Sequence, residues 1–299
     1  FSAGGFGAEY GEALGGVVSI KTKKEIPSEP FTQIKINLPL YSGIYHERAI
    51  DENSMVSASF RKSYVDYILP LVLKEQTVVP SFWDSHIRYL KKNDSGYLNI
   101  LSIASLDQLK LSVDGSGDED GKNKFSIGTY FGVFGIDFVQ KLTPKWKITG
   151  VPQVVFTRVT NEFTTSYVRI RGFTYRIPLT FERKMPKREK LFIGLEATYA
   201  PKVRVEVLAP LIVQDDPFVD FEEAPQILQE TDYTGYSYAL WSAYDFRFNS
   251  LMITPGVRLS LNKKPEESDG SAKNEEIDPR IAIKYQAQKG LLFKAAAGK

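Results

Sequence analysis

Residues 191–207 read LFIGLEATYAPKVRVEV. Leu191, Ile193, Leu195, Ala197, Tyr199, Val203, Val205 and Val207 fall on odd positions, and Glu196, Thr198, Lys202, Arg204 and Glu206 on even ones. A period of two is the period of a β-strand, whose side chains alternate between opposite faces. All the odd positions are therefore expected on one face, against something apolar, and the even ones toward water. That apolar partner is either a protein core or lipid, and the stretch alone does not choose between them.

The same alternation continues downstream. In 236–249, Tyr236, Tyr238, Leu240, Tyr244, Phe246 and Phe248 oppose Ser237, Asp245, Arg247 and Asn249. In 251–262, Leu251, Ile253, Val257, Leu259 and Leu261 oppose Thr254, Arg258, Ser260 and Asn262. Helical periodicity is almost absent. About thirteen strands can be placed, in the length range of membrane-barrel strands. The chain has 299 residues, 42% of them hydrophobic, enough for one large domain. Lysines and arginines (38) nearly balance aspartates and glutamates (36), which argues against a nucleic-acid partner. With no cysteine, disulfide staples and thiolate metal sites are excluded. No apolar run approaches the ~20 residues of a membrane helix.

Connection lengths decide between core and lipid. Tight turns fall at 51–53, 92–96, 143–145, 186–188, 249–250 and 288–290. Between them lie long polar stretches at 67–81, 107–123, 210–234 and 262–278, with 161–165 a short exception. A soluble sandwich has no reason to keep its tight turns at one end, whereas an outer-membrane barrel has short periplasmic turns and long extracellular loops. Aromatic residues agree. Trp146, Phe181 and Phe248 fall near the tight-turn ends, and Tyr199, Tyr236 and Tyr238 near the long-loop ends, as in the two girdles of a lipid-facing band. The expected fold is all-β: an antiparallel up-and-down transmembrane barrel, partial, as an open sheet with free edges near 34–40 and 291–297.

Three motifs carry a family resemblance. Gly7-Ala8-Glu9-Tyr10-Gly11 followed by Gly15-Gly16-Val17-Val18-Ser19-Ile20-Lys21-Thr22-Lys23 resembles the end of the plug domain of TonB-dependent outer-membrane receptors. Phe60-Arg61-Lys62-Ser63-Tyr64 is similar to a strand end early in their barrels. Asp278-Pro279-Arg280-Ile281-Ala282, with Leu292-Phe293-Lys294-Ala295, is similar to a mid-barrel hairpin. The resemblance implies a plug inside a barrel of about 22 strands. Residues 1–25 would end the plug and 26–299 would form the first part of the barrel, an internal fragment lacking leader, TonB box and later strands. It also implies a bacterial outer-membrane location, contact with lipid and lipopolysaccharide, and the TonB energy-transducing complex reached through an N-terminal segment. The ligand class would be a scarce small molecule such as a ferric siderophore, cobalamin or a glycan. A passive porin or fatty-acid channel and a structural or adhesion barrel are the rival readings.

The opening glycines could suggest a phosphate cradle, but such a loop needs a preceding strand and a following helix. Gly15 and Gly16 are expected to let the backbone pack closely against the barrel wall. No catalytic motif occurs and no cofactor is implied. His46 and His86 stand alone in sequence, His86 sharing parity with Asp84 and Arg88 on a lumen-facing wall. The acidic stretch 114–121 fails the spacing of a calcium loop. Asp215, Asp216, Phe218, Asp220 and Phe221 mix carboxylates with aromatics and are the leading ligand-loop candidates. Arg158, Arg169 and Arg171 fit three roles: steering an anionic ligand, meeting lipopolysaccharide phosphates, or lining the lumen.

Overall fold

The computed structural model describes residues 7–11, 21–38, 40–72, 77–114, 122–163, 166–210, 226–263 and 273–298. The first strands are β1 (Phe31–Asn37), β2 (Tyr41–Asp51), β3 (Ser54–Ser63), β4 (Thr77–Asn93) and β5 (Gly96–Asp114). They are followed by β6 (Lys122–Lys141), β7 (Trp146–Gly150), β8 (Gln153–Phe163), β9 (Ser166–Lys184) and β10 (Lys190–Pro210). The last are β11 (Gln226–Phe248), β12 (Leu251–Lys263), β13 (Lys273–Gln288) and β14 (Leu291–Gly298). All fourteen join one antiparallel sheet in chain order.

β7 and β8 pair with the same two neighbours, β6 and β9, so they are halves of one crossing. Fourteen strands less this one break give thirteen crossings, the number expected. The break falls at Val151-Pro152, where proline has no N–H to give the ladder. Two bonds bridge it: Ile136 N–H donates to Pro152 O (2.9 Å) and Val151 N–H to Pro178 O (3.2 Å). The sheet is open. Among the described residues β1 pairs only with β2 and β14 only with β13, and every residue of these two edge strands is exposed.

All six expected tight turns are found, and the antiparallel order puts them at one end of the sheet. Asn249 (φ 49°) and Gly290 (φ 91°) supply the left-handed backbone that two of them need. At the other end the sequence overestimates the loops. β5 and β6 stay paired to Asp114↔Lys122, and β10 and β11 to Pro210↔Gln226, so much of 107–123 and 210–234 is strand. The connection read at 67–81 also contains a helix, α1 (Val65–Val72), too short to print a helical period.

One face of the sheet is apolar. A continuous row crosses it in register: Leu179, Leu195, Leu240, Leu259 and Ile277. An aromatic row runs above it toward the long-loop end. Trp83 meets Tyr130 at 6.1 Å, Tyr130 meets Phe156 at 5.5 Å and Phe156 meets Phe173 at 4.9 Å between ring centroids. Tyr175 and Tyr199 stack at 6.4 Å further along. The sheet is inside-out relative to a soluble domain. Large apolar side chains such as Ile34 and Ile87 are each 67% exposed, while Arg88, Asn99, Asp245 and Arg258 are buried.

The odd-even reading of 191–207 holds only to Tyr199. Pro201 and Lys202 together face the single residue Thr234 on β11, a β-bulge that shifts β10 by one residue against both neighbours. Proline cannot continue the ladder there, and Thr234 Oγ1 donates instead to Pro201 O (2.7 Å). One extra residue inverts every later side chain. Val203 thus pairs with Gly172 on the polar side, with Val205 and Val207 following it, and Arg204 and Glu206 cross to the apolar side. Arg169 and Arg171 are there already, and Arg158 pairs with Arg171 in register. Of the three roles open to these arginines, lumen lining is therefore excluded: they form a charged row just above the aromatic one, on the same face.

Candidate functional site: the polar face and its docked tail

The described parts of the N-terminal tail, 7–11 and 21–30, lie on the polar face. The sequence pattern explains which wall residues meet them. Even positions of β4, β12 and β13 and odd positions of β5 and β11 point to this side, and they carry Arg88, Arg258, Arg280, Asn99 and Trp241.

Three arginines hold the tail by its backbone. Arg280 Nη1 donates to Gly7 O (2.8 Å) and also to Tyr10 O. Arg258 Nη1 donates to Glu9 O (3.4 Å), and Arg88 Nη2 donates to Lys23 O. Each guanidinium is in turn oriented by the wall. Arg280 pairs with Asp278, Arg258 Nη2 reaches Glu196 (3.4 Å), and Arg88 Nε donates to Asn99 Oδ1 (2.6 Å). Glu196 is shared with Arg176 Nε (2.6 Å). Buried guanidinium donors left unpaired would be costly, so the tail carbonyls are part of what makes this wall satisfiable. Lys24 adds an ion pair with Asp137 and lies 4.1 Å over the Tyr97 ring.

Packing supplements the polar contacts. Ala8 is buried against Trp241 and Ala243, the small apolar cluster of this face. Trp241 can lie flat because β10 offers Gly194: a Cβ there would stand 2.0 Å from Trp241 Cε2. Gly256 similarly leaves room for Ala8, whose Cβ would be 3.0 Å from a Cβ at that glycine.

Between tail and wall there is a cavity of about 640 Å³ with a mixed polar and apolar lining. Its lining includes Glu47, Asp84, His86 and Arg88 from the wall and Lys23 and Glu25 from the tail. His86 is on this face as expected, its Nδ1 bonded to Ser59 Oγ (2.6 Å). His46 is not: it is half-buried on the opposite face and pairs through Nδ1 with Thr32 Oγ1 (2.8 Å). Above the sheet's aromatic row, Asp232 is held below its ordinary carboxylate value of 3.8, first by a hydrogen bond from Arg204 and then by one from Lys202. The distances are 3.0 Å from Arg204 Nε and 2.9 Å from Lys202 Nζ.

Gly15 and Gly16 lie outside the described residues, as do Asp215, Asp216, Phe218, Asp220, Phe221 and nearly all of 114–121. The residues that grip the tail were not singled out from sequence. In the sequence Arg280 stands only within the 278–282 motif, and Arg88 only shares parity with His86. An inward-facing arginine on a strand is too common a signal to name a contact some 270 residues away.

No family model matches the sequence, and no curated protein matches it significantly. Three solved structures are similar in fold. The siderophore receptor PiuA from Acinetobacter baumannii superposes with a TM-score of 0.60 at 8% identity, over 86% of this chain and 46% of PiuA. BauA, the ferric preacinetobactin receptor of the same organism, gives 0.64 at 12% identity, over 91% and 47%. The ferric citrate transporter FecA in its unliganded form gives 0.56 at 9% identity, over 92% and 45%. The chain has the fold of these receptors. It spans slightly less than half the length of each of them, and at this identity the likeness concerns fold alone.

Proposed function

We propose that the chain is the plug end and first barrel strands of a TonB-dependent outer-membrane receptor. Residues 1–25 belong to the plug and 26–299 to the barrel wall. The observation that carries this reading is the tail gripped by Arg88, Arg258 and Arg280 on the polar face of an open, outwardly apolar sheet. The free edges at β1 and β14 support further strands, because unpaired backbone in hydrocarbon costs several kcal/mol per group.

The work of such a protein is binding and gating. Extracellular loops capture a scarce ligand, and force applied from the periplasm moves the plug. A siderophore-type ligand is favoured because the structures of like fold are described as siderophore, ferric preacinetobactin and ferric citrate proteins. We assign ligand capture in this half to Asp215, Asp216, Phe218, Asp220 and Phe221, and backbone packing to Gly15 and Gly16. The test is uptake of radioiron from a panel of ferric siderophores by cells carrying the intact receptor. Uptake abolished by a protonophore or by loss of TonB is the expected result. Uptake indifferent to both identifies a passive channel, and no uptake of any member of the panel rejects the siderophore-type ligand.

A further inference from the structure

The charged row above the aromatics contains one cation that its neighbours do not share. Arg169 and Arg171 both bond Glu206, at 3.3 and 2.7 Å, and Arg204 bonds Asp232 at 3.0 Å. Arg158 has no hydrogen bond, ion pair or ring contact among the described residues. It stands instead in an outer-face groove of about 460 Å³ where β5, β6 and β8 adjoin.

The groove exists because β6 places Gly128 on the outer face. Where its Cβ would stand, nothing comes closer than Gln108 Cγ at 3.8 Å and Nε2 at 3.9 Å, with Thr160 O at 4.0 Å, so a slot is left open. The lower wall is Tyr130 against Phe156, part of the aromatic row. The upper walls offer hydroxyl and amide groups from Ser126, Thr160 and Gln108. A second donor is short of a partner nearby. The Nε of Arg169, in register with Thr160, is buried and has no acceptor among the described residues. Glu162 closes the far end and is drawn to Arg169 at 3.7 Å.

Aromatic rows of this kind mark the level where lipid chains give way to headgroups. A cation one pleat above them is at headgroup height. Guanidinium donors suit phosphate oxygens, and hydroxyl and amide side chains suit sugar hydroxyls. We propose that this groove binds the phosphorylated sugar headgroup of an outer-leaflet glycolipid, Arg158 taking the phosphate and Tyr130 and Phe156 the start of the acyl chains. The inference rests on the outer-membrane reading above.

The experiment uses the intact receptor in detergent micelles, titrated with diphosphoryl lipid A and with its dephosphorylated form, bound copies being counted by native mass spectrometry. The wild type should prefer the phosphorylated lipid, and Arg158→Ala should lose about tenfold in affinity for it alone, the size of one charge-assisted hydrogen bond. Arg158→Lys should recover part of the loss, and Glu162→Gln should bind more tightly because a repelling carboxylate is gone. Equal affinity of the wild type for both lipids overturns the site, as does Arg158→Ala binding like wild type. Energised uptake that persists in Arg158→Ala cells leaves the transport reading standing whichever way the lipid titration falls. A chain absent from outer-membrane fractions refutes both.

Discussion

Placing a charge at Leu195 tests which face of the sheet meets lipid. From Leu191 to Tyr199 the apolar face of β10 advances eight residues, about 27 Å along the strand at ~3.4 Å each. A tilt of about 40° reduces this to ~21 Å of depth, close to the ~25 Å apolar band of an outer-membrane barrel. Leu195 is the midpoint, flanked in register by Leu179 and Leu240. Leu195→Arg should therefore cost ~2–4 kcal/mol, the penalty for an arginine facing lipid at the midplane. The control is Thr198→Arg on the polar face, whose register partners are Arg176 and Ser237. It meets water and one like charge, and should cost less than about 1 kcal/mol. Both variants are made in the intact receptor, folded into phosphatidylcholine vesicles and unfolded with guanidinium while tryptophan fluorescence is followed. Equal losses for the two, or a larger loss for Thr198→Arg, would refute the assignment of faces.

Three further outcomes are expected. Because the chain has no native cysteine, Glu230→Cys in the intact receptor should react with an impermeant thiol reagent on whole cells and Asn93→Cys should not; the opposite pattern reverses the topology. Gly194→Val should push the Trp241 indole off β10 and free Ala8, at about 1–3 kcal/mol; an unchanged tryptophan spectrum and an unchanged rate of proteolysis at the tail would contradict the packing described. The depressed carboxyl of Asp232 contributes stability above the ordinary value of 3.8 that is lost as pH falls through its lower folded value. The melting temperature of wild type should exceed that of Asp232→Asn at neutral pH and converge on it at the acid end, so a gap independent of pH would exclude the Arg204–Asp232 contact as its source.

How much was legible depended on how local each feature is. Alternation in 236–249 and 251–262 marks strands because a strand's faces follow from backbone geometry alone. Tight turns at Asn249 and Gly290 were visible because left-handed backbone selects those residue types. From these the sequence determined an antiparallel meander, its thirteen crossings and the end of the sheet where the chain turns tightly. The helix α1 went unseen because eight residues hold too few turns to show a period. The strand extensions over 107–114 and 226–234 went unseen because polar residues read as loop when both faces of a hairpin meet water.

Only the tertiary structure decided what depends on more than one strand. Pro201 signals a disturbance, but whether it ends β10 or bulges it is settled by β9 and β11, and that choice inverts Val203 to Val207. Arg158 and Arg171 are alike in sequence and differ only because Glu206, on another strand, reaches one of them and not the other. Arg280 and Gly7 lie at opposite ends of the chain and meet only because the tail folds back over the sheet. Side-chain periodicity belongs to each strand separately, whereas register, ion pairing and tail docking belong to pairs of strands, and one residue of slip in a neighbour is enough to change them.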